Sequence, residues 1–372
     1  NLETAFEAVK KAGGHVQGTL CYTTSPVHTV ESFGTLADKL AEMGADSLCI
    51  KDMAGLLSPI AAEQLTTRIK SAHPDIPLQL HCHDTSGYSE MTYLMAVKAG
   101  ADVIDCAISS LAGGTSQPAT ETLVAALDED PELSTGLELE HLSTTADYFK
   151  EIRKRYWKHE SHLLGIDTGV LRHQVPGGMI SNLVGQLRAQ GAEDRLQEVL
   201  DENAKVRADL GYPPLVTPSS QIVGTQAVLN VLTGKRYGNV TRETRNLAAG
   251  MYGKTATPIA KETLEKILNN ETAITHRPAD DLEPEMEKAT KEIEDLAESP
   301  EDVLSYVMFP APAKEFMEWR REGGGAEREL VAAVVAALTE KEREPAAQNT
   351  ESNPEIIQGN QWRSFGRMRQ MR

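Results

Sequence analysis

The sequence predicts an α/β fold: the C-terminal half of a (β/α)8 TIM barrel, with its first strands absent from this chain, followed by an all-helical domain. Three observations predict it. Short β-prone apolar runs alternate with amphipathic helical stretches, a rhythm that builds right-handed βαβ units around a parallel sheet. Charged and imidazole-bearing residues fall where successive strand runs end, the side on which barrel active sites sit. Finally, the chain holds four strand runs where closure needs eight, and its first helix has no strand before it, so the other half of the barrel is expected upstream of Asn1. An open doubly wound sheet is the competing architecture. No glycine-rich phosphate fingerprint follows the first strand, which counts against its nucleotide-binding version.

The elements follow in order. Residues 2–12 place Leu2, Ala5, Phe6 and Val9 on one helical face, and Gly13-Gly14 stops the helix. A strand is predicted over 16–22, a helix over 29–43 closed by Gly44, and a strand over 47–51. A proline-opened helix spans 59–71, a strand 78–82, a helix 89–99 closed by Gly100, a strand 103–108 and a helix 118–127. From about Leu137 the pattern becomes long helical stretches at 140–156, 179–190, 192–210, 219–233 and 260–268, broken by Pro213-Pro214 and by Gly250 to Gly253. Gly323-Gly324-Gly325 reads as a flexible joint, 327–341 as a short Ala/Val helix and 344–360 as a polar, disordered stretch. The expected domains are therefore 1–136, 137–320 and a linker and tail over 321–372.

Composition narrows the function. The 372 residues are 40% hydrophobic and hold no apolar run near the 18 or so that a membrane span needs. The net charge of -18 argues against a nucleic-acid surface, which needs clustered Lys and Arg. Cys21, Cys49, Cys82 and Cys106 lie in or beside apolar runs as free, buried thiols, which fits a reducing cytoplasm. No signal peptide opens the chain, and Asn1 is not a natural start, so a fragment or mature piece is expected. The tail from Trp362 to Arg369 is basic with aromatics and reads as a docking peptide or a solvated terminus.

The chemistry centres on the run Leu78-Gln79-Leu80-His81-Cys82-His83-Asp84. Side chains alternate along a strand, so His81 and His83 share a face and can hold one divalent cation. Two histidines do not complete a site. About thirty residues upstream, however, the strand run Ser47-Leu48-Cys49-Ile50 breaks into Lys51-Asp52 just where the pattern turns to loop. Lys51 admits a plain reading as a partner of Asp52 or another acid.

The segments Ile50-Lys51-Asp52-Met53-Ala54-Gly55-Leu56-Leu57, Leu80-His81-Cys82-His83-Asp84-Thr85, Gly100-Ala101-Asp102-Val103-Ile104-Asp105, Pro176-Gly177-Gly178-Met179-Ile180-Ser181-Asn182-Leu183 and Thr217-Pro218-Ser219-Ser220-Gln221-Ile222-Val223-Gly224 carry a family resemblance. Together they resemble the carboxyltransferase domain of biotin-dependent enzymes acting on pyruvate and oxaloacetate: pyruvate carboxylase, the oxaloacetate decarboxylase α subunit and the pyruvate-side subunit of transcarboxylase. The resemblance runs to about Glu318. It implies a metal-centred barrel with the helical domain as a funnel over its mouth. It assigns Lys51 to a carbamylated metal ligand, His81 and His83 to the histidine ligands, and Ser181 to the hydroxyl that moves a proton between biotin and pyruvate.

A carbamate makes chemical sense, since an ammonium has no lone pair to offer a metal. The fourth family ligand, an aspartate on the first barrel strand, lies outside this chain, as do the residues that grip the keto acid. Serine at 181, where pyruvate carboxylases carry threonine, resembles the decarboxylase and transcarboxylase branch; the plain reading of Ser181 is a helix N-cap.

The implied cofactors are a divalent metal (Zn, Mn or Co) and biotin carried by another domain or subunit, because the chain has no Met-Lys-Met attachment motif. The implied partners are pyruvate or oxaloacetate, a biotin carrier, a second copy in a homodimer and, from a faint resemblance of the last residues, subunits of a membrane-bound decarboxylase. Two other functions fit in part. A metal-dependent aldolase or lyase of the isopropylmalate synthase or hydroxymethylglutaryl lyase type also uses His-x-His in a barrel, but has no lysine ligand and no Pro-Gly-Gly motif. A non-catalytic assembly piece is the second, since half a barrel leaves strand edges to be covered.

Overall fold

The structure, a computed structural model, describes residues 2–160, 165–269 and 271–324. The helix expected over 327–341 and the polar and basic tail lie outside the described residues. In chain order the elements are α1 (Leu2–Lys11), β1 (Gln17–Cys21), α2 (Val30–Glu42), β2 (Ser47–Asp52), α3 (Pro59–Ala72), β3 (Leu78–Cys82), α4 (Ser89–Lys98), β4 (Val103–Ile104) and α5 (Thr120–Leu127). The helical part continues with α6 (Leu139–Arg153), α7 (Val170–His173), α8 (Gly177–Arg188), α9 (Leu196–Asp209), α10 (Ser219–Thr233), α11 (Arg242–Ala248) and α12 (Lys261–Leu268). After it come α13 (Met286–Glu292), α14 (Pro300–Met308) and α15 (Pro310–Trp319). The chain divides into two compact units, Asn1–Leu282 and Glu283–Arg372. The change from strands to helices near residue 137 falls inside the first.

The four strands form one parallel sheet in sequential order, β1-β2-β3-β4. Its helix-facing side is apolar: Leu20, Leu48, Ile50, Leu78 and Leu80 are fully buried against Phe33, Ala37 and Leu40 of α2, Leu65 and Ile69 of α3, and Ala96 of α4. Because side chains alternate, the other side presents Gln17, Thr19, Cys21, Ser47, Cys49, Lys51, Gln79 and His81. Parallel sheets normally bury apolar residues on both faces, so this polar face marks where the chemistry is placed. The helices start where the sequence provides caps. Thr29 and Ser32 form a capping box for α2, and Ser58 caps α3 ahead of Pro59.

One expected strand is much shorter than predicted. The run over 103–108 is in register with β3 only at Val103 and Ile104, because the Tyr93 hydroxyl from α4 enters the ladder beyond them; Ala107 instead bridges to Ala119. It accepts from the Cys82 N–H at 2.8 Å and donates to the Asp105 carbonyl at 2.7 Å, joining β3 to the following chain through a phenol.

A second apolar core fills the helical part, with Leu183 and Leu187 of α8, Val199 and Val206 of α9, and Ile222, Val223 and Ala227 of α10. Gly224 lets α8 and α10 approach closely: a Cβ there would stand 2.6 Å from the Met179 Cε. In the second unit, α13, α14 and α15 enclose a small core of Ala289, Ile293, Val303, Ala313 and Met317. Arg320 there grips Asp302 with two parallel hydrogen bonds, 3.1 and 2.8 Å. Among the described residues no helix is long and apolar enough to cross a membrane.

Candidate active site

Strand register brings the sequence-predicted residues together. Cys21 pairs with Lys51, and Lys51 with His81, so the three stand in one row across β1, β2 and β3. His83 follows just beyond β3, its N–H donating to the Asp52 carbonyl at 2.9 Å. Its position is set by two loops in close contact. Gly55, at φ +71°, sits where a Cβ would be 2.7 Å from the His83 carbonyl oxygen, so that turn tolerates only glycine.

Lys51 and Asp52 are adjacent but point to opposite sides of β2. Asp52 is 1% exposed, and its carboxylate accepts from the Ala54 N–H at 3.1 Å and the Leu57 N–H at 2.6 Å. Burial pushes its pKa up to about 6 against these backbone donors. Asp52 therefore ties down the 52–57 turn and does not pair with Lys51. Among the described residues Lys51 has no ion-pair partner, although it stands close enough to His83 to disfavour the imidazolium there.

The two imidazoles face each other, with Nε2 of His81 3.3 Å from Nε2 of His83. Their other nitrogens are committed. His81 Nδ1 lies 2.8 Å from Asp105 Oδ2, and His83 Nδ1 lies 2.6 Å from the Thr115 carbonyl oxygen. Both oxygens can only accept, so each Nδ1 carries a proton, and in the neutral form of either ring Nε2 is left with its lone pair. Gln117 places its amide nitrogen 3.3 Å from His81 Nε2, in keeping with that acceptor role. Burial lowers the His83 pKa, and the nearby Lys51 disfavours its imidazolium further.

Two neutral imidazole lone pairs turned on each other repel unless a cation lies between them. Nitrogens bound tetrahedrally at the usual zinc–imidazole distance stand about 3.3 to 3.4 Å apart. The donor set thus fits a divalent ion, with the outer hydrogen bonds that metal-bound histidines need. Among the described residues no group of three or more His, Cys, Asp or Glu is placed to hold a metal. Lys51 is the neighbour of His81 in register.

His83 opens onto a cleft of about 1040 Å³ between the sheet's rim and the helical part. Met53, Thr85 and Thr115 line it on one side; Gly178, Asn182, Gly185 and Gln186 of α8 and Thr217, Ser220 and Gln221 at the start of α10 line the other. Ser181 lies in the second turn of α8, one turn after Gly177 and one before Gly185, both of which line the cleft. Pro176 occupies the N-cap position, so the plain reading of Ser181 as a helix cap is not what the fold uses.

Sequence reading missed Asp105, Gln79 and Arg207. Asp105 had a findable signal, since a metal-bound histidine needs an acceptor for its other N–H and the next strand was the place to look. Arg207 had none. It is 4% exposed and donates to three separate segments: Thr23 Oγ1 after β1 at 2.7 Å, Gln174 Oε1 before α8 at 2.5 Å, and the Pro213 carbonyl before α10 at 3.1 Å. No carboxylate among the described residues balances it, and burial lowers its pKa to about 10.

Comparison with known proteins separates the two parts of the chain. Residues 1–148 match the HMGL-like family. Residues 170–358, just over half of the chain, match the conserved carboxylase domain. The chain belongs to the conserved carboxylase domain family. A pyruvate carboxylase subunit from Methanocaldococcus jannaschii is 52% identical over 321 residues, covering 85% of this chain and 56% of that protein. The methylmalonyl-CoA carboxyltransferase 5S subunit of Propionibacterium freudenreichii subsp. shermanii is 47% identical over 331 residues, 87% of this chain and 65% of that one.

Among solved structures, the carboxyl transferase domain from Rhizobium etli pyruvate carboxylase superposes with a TM-score of 0.79 at 30% identity, covering 85% of this chain and 56% of that one. The chain is an α/β protein with a parallel sheet, matching that domain. It spans between half and two thirds of the length of these relatives. The HMGL-like match alone would fit the aldolase and lyase reading as well; the match beyond residue 170 distinguishes the carboxyltransferase reading from it.

Proposed function

We propose that this chain is the carboxyltransferase part of a biotin-dependent enzyme that moves a carboxyl group between carboxybiotin and pyruvate or oxaloacetate. The observation that carries the proposal is the pair of facing Nε2 atoms of His81 and His83, 3.3 Å apart, with His81 in register with Lys51 and His83 opening onto the cleft. In this reading His81, His83 and a carbamylated Lys51 hold a divalent cation (Zn, Mn or Co), which supplies Lewis acidity toward the keto oxygen. Biotin, on a carrier domain or partner subunit, supplies the carboxyl group.

The chain's own residues then have distinct tasks. Asp105 and Thr115 hold the tautomers of His81 and His83; the Lys51 ammonium would lose a proton, and its amine would add carbon dioxide and lose a second proton to give a carbamate oxygen ligand; and Ser181 would pass the proton between the methyl carbon of the keto acid and the biotin ureido nitrogen, its hydroxyl both donating and accepting.

The finer architecture belongs to the same proposal. The four strands are consecutive strands of a (β/α)8 barrel, with a core over 1–136, a helical funnel domain over 137–320 and a linker and tail over 321–372. Sequential strand order supports this, because a doubly wound sheet reverses its order at a switch point and this one does not. The separate apolar cores of the sheet and of α8 to α12 support the division. The enzyme works in the cytoplasm with a biotin carrier, as a homodimer, and its tail is the part that would meet membrane decarboxylase subunits. Oxaloacetate decarboxylation assayed with free biotin, on this chain and on one extended upstream, tests the function. Turnover of the extended protein that rises with biotin and stops with a chelator is expected; turnover indifferent to both overturns the reading and returns the lyase alternative.

A further inference from the structure

The metal-facing histidine is the end of a longer chain of hydrogen bonds on the polar side of the sheet. Asp105 accepts from His81 on Oδ2, and both of its oxygens also accept from the Gln79 amide nitrogen, at 2.9 and 2.8 Å. Gln79 Oε1 in turn accepts from the Gln17 amide nitrogen at 3.0 Å. Gln17 also reaches the Ser47 hydroxyl at 3.2 Å, which lies 2.8 Å from His15 Nε2. The chain crosses β1, β3 and the residue after β4, and its polarity is fixed at one end. A carboxylate can only accept, so Gln79 must turn its NH2 toward Asp105. Its carbonyl oxygen is then left facing Gln17, which must present its own NH2.

We propose that Gln79, held by Gln17, is a positioning residue that fixes the Asp105 carboxylate and thereby keeps His81 in the tautomer with a free Nε2. The proposal rests on the metal reading above and extends it from the ligand and its acceptor to the amide pair behind them. Asp105 sits past the end of β4: its N–H still donates to the Leu80 carbonyl at 2.9 Å, its carbonyl accepts from the Tyr93 hydroxyl, and its side chain is held by His81 and Gln79. Gln79 bridges both carboxylate oxygens and stops that group from turning about its last torsion. Without this bridge the carboxylate can rotate toward solvent, His81 loses its acceptor, and the proton is free to move to Nε2, where it blocks a cation. Such outer hydrogen bonds are commonly worth about tenfold or more in metal affinity.

Two readouts on the protein test this. Long-range 15N–1H spectra of the histidine rings report the tautomer directly, with no metal added. The wild type is expected to show His81 protonated at Nδ1, and Gln79→Leu to show a mixture, with unchanged thermal unfolding. Co2+ titration followed by visible absorption is expected to show binding that His81→Ala abolishes and Gln79→Leu weakens about tenfold. Gln17→Leu, which leaves Gln79 in place, should weaken it less. Gln79→Met keeps the length of the side chain and serves if the leucine variant does not fold. An unchanged His81 tautomer in a folded Gln79 variant overturns the proposal. A shifted tautomer without any His81-dependent Co2+ binding in the wild type would instead uphold the positioning role and remove the metal reading.

Discussion

The sheet side of the cleft presents His83, with His81, Lys51 and Asp105 behind it, each placed by strand register or by a hydrogen bond to a neighbouring strand or loop. The helical side offers glycines, amides and hydroxyls, and among the described residues lining the cleft His83 is the one with an ionisable side chain. The ionisable side chains thus belong to the sheet and its rim, where strand register sets their spacing. Shape belongs to the helices, where Gly178 and Gly185 leave open space in front of α8. Arg207 spans the divide, fastening the end of β1 to the chain leading into both wall helices.

The division of labour breaks most severely at Lys51. Lys51→Arg preserves charge and length but cannot form a carbamate, so metal content and carboxyl transfer should fall together, to about 1% of wild type or less. Metal analysis beside the oxaloacetate assay checks it; retention of both removes the carbamate.

Ser181→Ala probes the other wall and should lower carboxyl transfer by about 10²–10⁴-fold. Stability should stay within about 0.5 kcal/mol, since alanine is a better residue inside a helix than serine and no cap is lost. Normal turnover by this variant would return the wall to a purely steric role.

At Arg207 the expected loss is structural. Arg207→Met leaves the Thr23 hydroxyl, the Gln174 amide oxygen and the Pro213 carbonyl without their shared donor, at a cost of about 2–4 kcal/mol in urea denaturation. A cost below about 0.5 kcal/mol would mean that the two walls are held together elsewhere.

The smallest effect concerns Asp52, which lies behind the sheet wall. Its folded pKa of about 6 exceeds the ordinary 3.8, so the folded protein binds the proton more tightly than the unfolded chain. Stability due to this residue is present below pH 3.8 and is lost as pH rises through about 6. The stability of the wild type minus that of Asp52→Asn should therefore decline across that window; a difference that rises with pH would show that the backbone donors outweigh burial.

The alternation of strand and helix was legible in the sequence because each element is a local pattern, and His81 and His83 because two residues on one strand share a face by parity alone. Lys51 was legible as a charge at a strand end, yet whether it paired with Asp52 was not, since that depends on which face the backbone donors of the 52–57 turn occupy. Asp105, Gln79 and Gln17 come together from three places in the chain only once the strands are in register. Arg207 and Thr23 are 184 positions apart, with no periodic signal to relate them. The early end of β4 was hidden for a similar reason: a tyrosine on a helix terminates the pairing of two strands that contain no sign of it.

That tyrosine has a mechanical consequence. Its ring is fully buried in the helical layer while its oxygen is bonded to Cys82, between His81 and His83, and to Asp105, the acceptor of His81. α4 therefore acts as a lever whose short arm ends between the two histidines. Any force that displaces that helix is delivered through the tyrosine oxygen to the spacing of the two imidazoles.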